Sequence, residues 1–211
     1  YNTWQLANDN CTSRGETQNM ARSEEKIIEV TRKIKKDKSI EITGPWVVVG
    51  NIKIDKVDSK NANTKLKNAV FIGRNYYGVV GVYDGNTNCE IELINITYTG
   101  PQFVYNKNGI TTINNCNVTL DKNGSSTSAQ EFCEANRVSF LGNVVVNSNA
   151  TSNAVIWFTG TNASFTVEEN ATLTINALST YLLYTDVSPT MLFKKNSKTV
   201  ITTKGGLFYN T

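Results

Sequence analysis

The sequence contains no histidine. That removes histidine-dependent triads, most catalytic zinc sites and the commonest general base, and leaves carboxylates to carry any hydrolytic chemistry. Charge is sparse: 18% of the 211 residues are charged and the net charge is +3. So mild a balance gives no reason to expect a nucleic-acid partner. No apolar run reaches the roughly 18 residues at which a membrane-spanning helix is suspected, so no membrane insertion is expected. The four cysteines, Cys11, Cys89, Cys116 and Cys133, fit neither a zinc spacing nor a C-x-x-C motif. No metal and no cofactor is expected from this residue set.

What the sequence has is a repeat. An asparagine followed by alternating apolar residues recurs at Asn51, Asn95, Asn117, Asn143, Asn170 and Asn196, at intervals of 22 to 27 residues or twice that. Positions +1 and +3 are mostly apolar, as in Ile52 and Ile54, Val118 and Leu120, and Val144 and Val146. Three late copies carry a second apolar pair at −5 and −3: Val138 and Phe140, Phe165 and Val167, Met191 and Phe193. Period-two alternation marks half-buried strands, so each asparagine stands at a bend between two of them. Asparagine suits a bend because it tolerates left-handed backbone and bonds nearby amides. Stacked copies would form an amide ladder. A repeat of this length denotes a solenoid, in which coils bury their apolar faces against one another. The expected fold is all-β: a right-handed parallel β-helix over residues 39–211, with its coils lengthening toward the C-terminus.

Residues 1–38 look different. Ser23 to Lys36 reads as an amphipathic capping α-helix, with Ser23 as N-cap, Glu24 and Glu25 in the first turn, and Ile27, Ile28, Val30 and Ile34 on one face. The basic run Arg32–Lys38 then complements the helix C-terminus, or attracts an anionic polymer such as an acidic polysaccharide or teichoic acid. No cap is visible at the other end, where Phe208-Tyr209 stops in mid-pattern, so a fragment of a longer protein is expected.

Seven N-x-Ser/Thr sequons occur, but 28 asparagines among 40 serines and threonines give about five by chance. Cys89 and Cys116 lie 27 residues apart, about one coil. They read either as a disulfide between rungs or as small buried hydrophobes. Glu90 and Glu92 share one side of a strand. They could be a carboxylate pair for glycoside hydrolysis, though an ordinary amphipathic strand looks the same. Glu168 and Glu169 read as a solvated turn. The aromatics Tyr83, Tyr105, Phe158, Tyr184 and Tyr209 recur about once per coil. Facing outward they would form a ligand-binding stripe. Facing inward they would be core, and Phe103, Ile156 and Leu182 two positions earlier lean that way.

The cadence Val138-Ser-Phe-Leu-Gly-Asn143-Val-Val-Val, then Ala154-Val-Ile-Trp157, then Phe165-Thr-Val-Glu-Glu-Asn170-Ala-Thr-Leu-Thr-Ile175, resembles the pectate-lyase-like adhesive domains of Gram-positive surface proteins. Ser39-Ile-Glu-Ile-Thr-Gly44 and Val47-Val-Val-Gly-Asn51 are similar to the opening of those domains. The resemblance implies an extracellular module, cell-wall anchored in its full-length protein, that binds polysaccharide or a host glycan or protein without catalysis. It brings no catalytic residues. The competing expectations are a polysaccharide lyase or glycoside hydrolase of the β-helix type, and a structural stalk.

Overall fold

A computed structural model describes residues 18–20, 27–34, 39–54, 61–73, 80–82, 88–121, 131–149, 154–177, 181–185 and 187–210. Among them lie seventeen strands and no helix. The first five are β1 (Gln18–Met20), β2 (Ile27–Ile34), β3 (Ser39–Ile54), β4 (Asn61–Ile72) and β5 (Val80–Val82). Next come β6 (Asn88–Gly100), β7 (Val104–Asn114), β8 (Asn117–Leu120), β9 (Cys133–Leu141), β10 (Asn143–Ser148) and β11 (Ala154–Phe158). The last six are β12 (Ser164–Val167), β13 (Thr172–Ala177), β14 (Tyr181–Thr185), β15 (Thr190–Phe193), β16 (Lys198–Thr202) and β17 (Phe208–Asn210).

Every recorded pairing is parallel and joins one coil to the next, which makes a β-solenoid. Three faces run along it. The first carries 39–43, 63–67, 90–94, 110–114, 137–141, 164–167 and 190–193 in register. The second carries 70–72, 97–99, 117–119, 145–147, 174–176 and 200–202. The third carries 104–106, 133–135, 156–158, 183–185 and 208–210. From Thr64 onward, alternate side chains of each face point inward wherever burial is described. Tyr98, Phe103, Phe132, Phe140, Phe165 and Phe193 then follow one another with ring centroids 5.0 to 6.4 Å apart, an aromatic spine inside the rod. The three prolines, Pro45, Pro101 and Pro189, all fall where one face gives way to the next, where no ladder N–H is lost.

The capping helix is not there. Ile27–Ile34 is strand β2, paired residue for residue with Val47–Ile54. Five of its eight residues are β-branched (Ile27, Ile28, Val30, Thr31 and Ile34), which costs side-chain freedom in a helix and packs well on a pleated surface. β1 also joins β3, so the solenoid begins before residue 39. Ser23 and the end of the basic run lie outside the described residues. At the C-terminal end, core-facing Phe193 and Phe208 are 50% and 53% exposed, since no rung covers them among the described residues.

The asparagine ladder is real but differently composed. Left-handed backbone occurs between the first and second faces at Asn68, Asn95, Asn115, Gly142, Asn170 and Asn196, with φ of 52° to 61°. Asn95 Nδ2 donates to Asn68 Oδ1 at 2.8 Å, and Asn196 Nδ2 to Asn170 Oδ1 at 3.2 Å. Asn117 and Asn143 are the first residues of β8 and β10, just past the bend. Asn143 uses its backbone N–H to reach Asn115 Oδ1 at 2.8 Å. Asn51 lies within β3 opposite Thr31, away from this bend. A fixed interval misplaced these members because the rungs differ in length. Glu90 pairs with Ile110 and Ile110 with Arg137, steps of 20 and then 27 residues, so the coils do not lengthen steadily.

The same uneven step separates Cys89 from Cys116. One rung on from Cys89 comes Gly109, where an added Cβ would sit 1.9 Å from the Cys89 carbonyl oxygen. Cys116 precedes Asn117, which pairs with Thr97 at the far end of β6. Cys89, Cys116 and Cys133 are buried thiols in no disulfide, so there is no Cys89–Cys116 bridge. The Cys116 thiol donates to the carbonyls of Leu93 and Asn114, both at 3.4 Å, and burial raises its pKa to about 11.

Candidate binding surface

The third face decides which way the aromatics point. Val104, Cys133, Ile156 and Leu183 share one register position and are fully buried. The neighbouring position, one residue later, must face outward. It holds Tyr105, Glu134, Trp157, Tyr184 and Tyr209 in successive rungs. So Tyr105, Tyr184 and Tyr209 form an outward stripe, against the inward lean suggested by Phe103, Ile156 and Leu182, and Tyr209 is 39% exposed. Phe158 does not belong to it. Phe158 pairs with Ala135 and Thr185 and is buried in the core, and Trp157 takes its place on the surface. The doublets Trp157-Phe158 and Leu183-Tyr184 look equivalent in the sequence but are offset by one residue in register, and a shift of one reverses the face. Tyr83 lies outside the described residues.

The stripe is a contact ladder. Trp157 meets Tyr184 edge to face at 5.0 Å, and Tyr184 stacks on Tyr209 at 5.2 Å with 16° between planes. Tyr181 adds a ring 4.9 Å from Tyr209. In the gap between Tyr105 and Trp157, Lys107 places its Nζ 5.1 Å and 5.4 Å from the two ring centroids. It also bonds Glu134 at 2.5 Å. Glu134 is buried, which raises its carboxyl pKa; Lys107 pulls that back and Glu131 pushes it further up, leaving it raised. Burial lowers the Lys107 pKa, but Glu134 and Tyr105 outweigh it and hold it above the usual lysine value.

Beside the ladder, where the third face turns into the first, lies a depression of about 270 Å3 lined by Asn108, Asn136, Arg137, Gly160, Thr161 and Asn162. Its outer wall is the loop after β11, in which Gly160 and Asn162 are both left-handed, at φ of 76° and 60°. Asn136 Nδ2 fastens that loop by donating to the carbonyls of Thr159 at 2.8 Å and Thr161 at 3.1 Å. The Thr159 hydroxyl donates to the Lys107 carbonyl at 3.2 Å, stitching the loop to the rung before it. An added Cβ at Gly160 would meet Asn136 Nδ2 at 3.2 Å, in addition to the strain of its φ. The repeat concealed this wall, since its residues are spacer between strands; the Gly160 and Asn162 turn chemistry was the available signal.

The expected carboxylates are surface features. Glu92 pairs with Lys65 at 2.9 Å across rungs of the first face, and Glu90 is exposed on the same face. Glu168 begins a turn closed by the Ala171 N–H at 3.1 Å and bonds Lys194 in the next rung. Among the described residues no cluster of three or more His, Cys, Asp or Glu side chains could hold a metal. No protein-family model matches this sequence, and neither a curated protein nor a solved structure matches it.

Proposed function

We propose that this solenoid is a non-enzymatic adhesive module of an extracellular, cell-wall-attached surface protein that binds glycans along its third face. The observation that carries this reading is the outward ladder Tyr105, Lys107, Trp157, Tyr184 and Tyr209, set beside a polar depression. Rings already locked against one another lose little freedom on binding, which favours an extended ligand lying along the rod. The ring faces inside the ladder touch each other, so such a ligand meets ring edges. Sugar hydroxyls would then pair with the phenols and with the asparagine amides nearby.

A glycan array tests this. Trp157→Ala should weaken every ligand of the native protein by about tenfold or more, the level of an interface hot spot. An array that stays blank with native protein leaves the stalk as the better reading. β-Solenoids occur among enzymes and non-enzymes alike, so a lyase or hydrolase keeps one supporting observation. Glu131 and Glu134 are only 4% and 7% exposed and interact electrostatically. Neither lines the depression, whereas glycoside hydrolysis needs both carboxyls facing the sugar. Release of reducing ends or unsaturated sugars from a polysaccharide, abolished by Glu134→Gln, would establish the enzymatic alternative.

A further inference from the structure

We infer that Lys107 is a proton-released plug, held by Glu134, in a slot for one sugar ring between Tyr105 and Trp157. While Glu134 is ionised, the ammonium fills the slot; when Glu134 takes up a proton, the lysine swings out and the slot admits a sugar. The inference rests on the glycan-binding reading. A skipped rung is the first ground. The outward position of the third face is aromatic at Tyr105, Trp157, Tyr184 and Tyr209, but it is Glu134 in the rung between Tyr105 and Trp157. Aromatic rings in adjacent rungs touch, with centroids 5.0 and 5.2 Å apart. Tyr105 and Trp157 stand two rungs apart, about 9.6 Å at the usual strand spacing. Two van der Waals contacts of about 3.5–4.0 Å fit that span and leave the thickness of one saturated ring. Here a ligand can reach ring faces, which further along the ladder cover one another.

What fills the gap is the second ground. Lys107 Nζ lies near the middle, 5.1 Å from the Tyr105 centroid and 5.4 Å from that of Trp157. Its side chain is 35% exposed, and the residue falls where β7 and β9 slip register, between Asn106 and Ile110. The ammonium is fixed by its bond to Glu134, with a further bond to Tyr105. Without the Glu134 charge, contact with the rings holds a half-exposed ammonium weakly, and release restores its hydration and rotamer freedom.

The third ground is that the latch can titrate. Glu134 is 7% exposed; burial raises its carboxyl pKa, Lys107 lowers it, Glu131 raises it again, and the balance stays raised. It therefore takes up a solvent proton above the ordinary carboxylate value of about 4.3. Lys107 is held above the usual lysine value, so it keeps its own proton throughout. Trp157 brings no charge, but its Nε1 is buried without an acceptor. A sugar hydroxyl at the indole edge would meet that donor.

The test begins without ligand. Acrylamide quenching of Trp157 is read as the difference between native protein and Trp157→Phe, which cancels Trp4 and Trp46. Quenching should rise as pH falls from about 7 to about 4. It should be high and independent of pH in Glu134→Gln and in Lys107→Ala, so either variant serves if the other folds poorly. Cellohexaose, chitohexaose and mannohexaose are then titrated calorimetrically at both pH values. At least one should bind native protein about fivefold tighter at the lower pH, the size expected from one or two ring contacts. Both variants should bind it that tightly at about pH 7. Native quenching that ignores pH, quenching that still follows pH in Glu134→Gln, or equal sugar affinity at the two pH values overturns the plug and leaves the ladder reading standing. Opening without binding of any of the three sugars overturns the sugar slot, and a glycan array blank at both pH values overturns the ladder reading as well.

Discussion

Asn170 sits at φ 60° and accepts a hydrogen bond from Asn196 in the next rung. Its two contributions separate by substitution. Asn170→Gly keeps the backbone and loses only the amide bond, about 0.5–1.5 kcal/mol. Asn170→Ala also forces a Cβ-bearing residue without a helping amide into left-handed backbone, adding about 1–2 kcal/mol. Urea unfolding should therefore rank alanine below glycine, with unchanged m-values; equal midpoints would refute the strain argument. At Gly142 the order of tolerance is harsher. An alanine Cβ there would stand 2.1 Å from Asn115 Oδ1, at φ 61°. At this scale the residue type was legible and the position only partly so. Asn95, Asn170 and Asn196 are where the repeat puts them, while Asn115 and Gly142 displace Asn117 and Asn143, because doublets such as Asn114-Asn115 and Gly142-Asn143 offer several bend formers to one bend.

For an element, the neighbour it pairs with overrides its own periodicity. β2 has apolar residues that fit a helix face, yet it lies against Val47–Ile54, an extended template whose hydrogen bonds it completes. The third-face strands make the same point about orientation, since Trp157 and Phe158 are told apart by register alone. Two truncations should separate surface from core. Phe140 is fully buried between Phe132 and Phe165, and Phe140→Ala should cost about 3–5 kcal/mol. Tyr184 is half-buried between Trp157 and Tyr209, and Tyr184→Ala should cost about 1–3 kcal/mol from two ring pairs while weakening glycan binding. Equal melting-temperature losses for the two variants would mean that the stripe is core.

Across the whole molecule, stability passes from rung to rung through parallel ladders and the aromatic spine, and the ends are where it runs thin. Phe193, half-exposed on the last described rung of its face, should lose much less on truncation than Phe140. Electrostatics act on the rod through its few buried charges. Glu134 has a raised folded-state pKa because it is buried, so the folded protein holds this proton more tightly than the unfolded chain. Stability from this group is then greatest below its ordinary value of about 4.3 and declines as pH rises through the displaced folded value. The difference in melting temperature between native protein and Glu134→Gln, followed upward from about pH 4, should show that decline. A difference independent of pH would refute it.

By itself the sequence determined that this chain is a β-solenoid. Alternation and bend chemistry are local properties, and a local unit repeated along a chain has few ways to bury itself other than by stacking. Tertiary structure alone decided which asparagines form the ladder, that β2 is a strand, that Trp157 and not Phe158 faces out, that Cys89 and Cys116 stay apart, and that a loop walls a depression beside Arg137. All of these depend on register between rungs of unequal length. Register is set by pairing with the neighbouring coil, and a slip of one residue turns a side chain from core to surface.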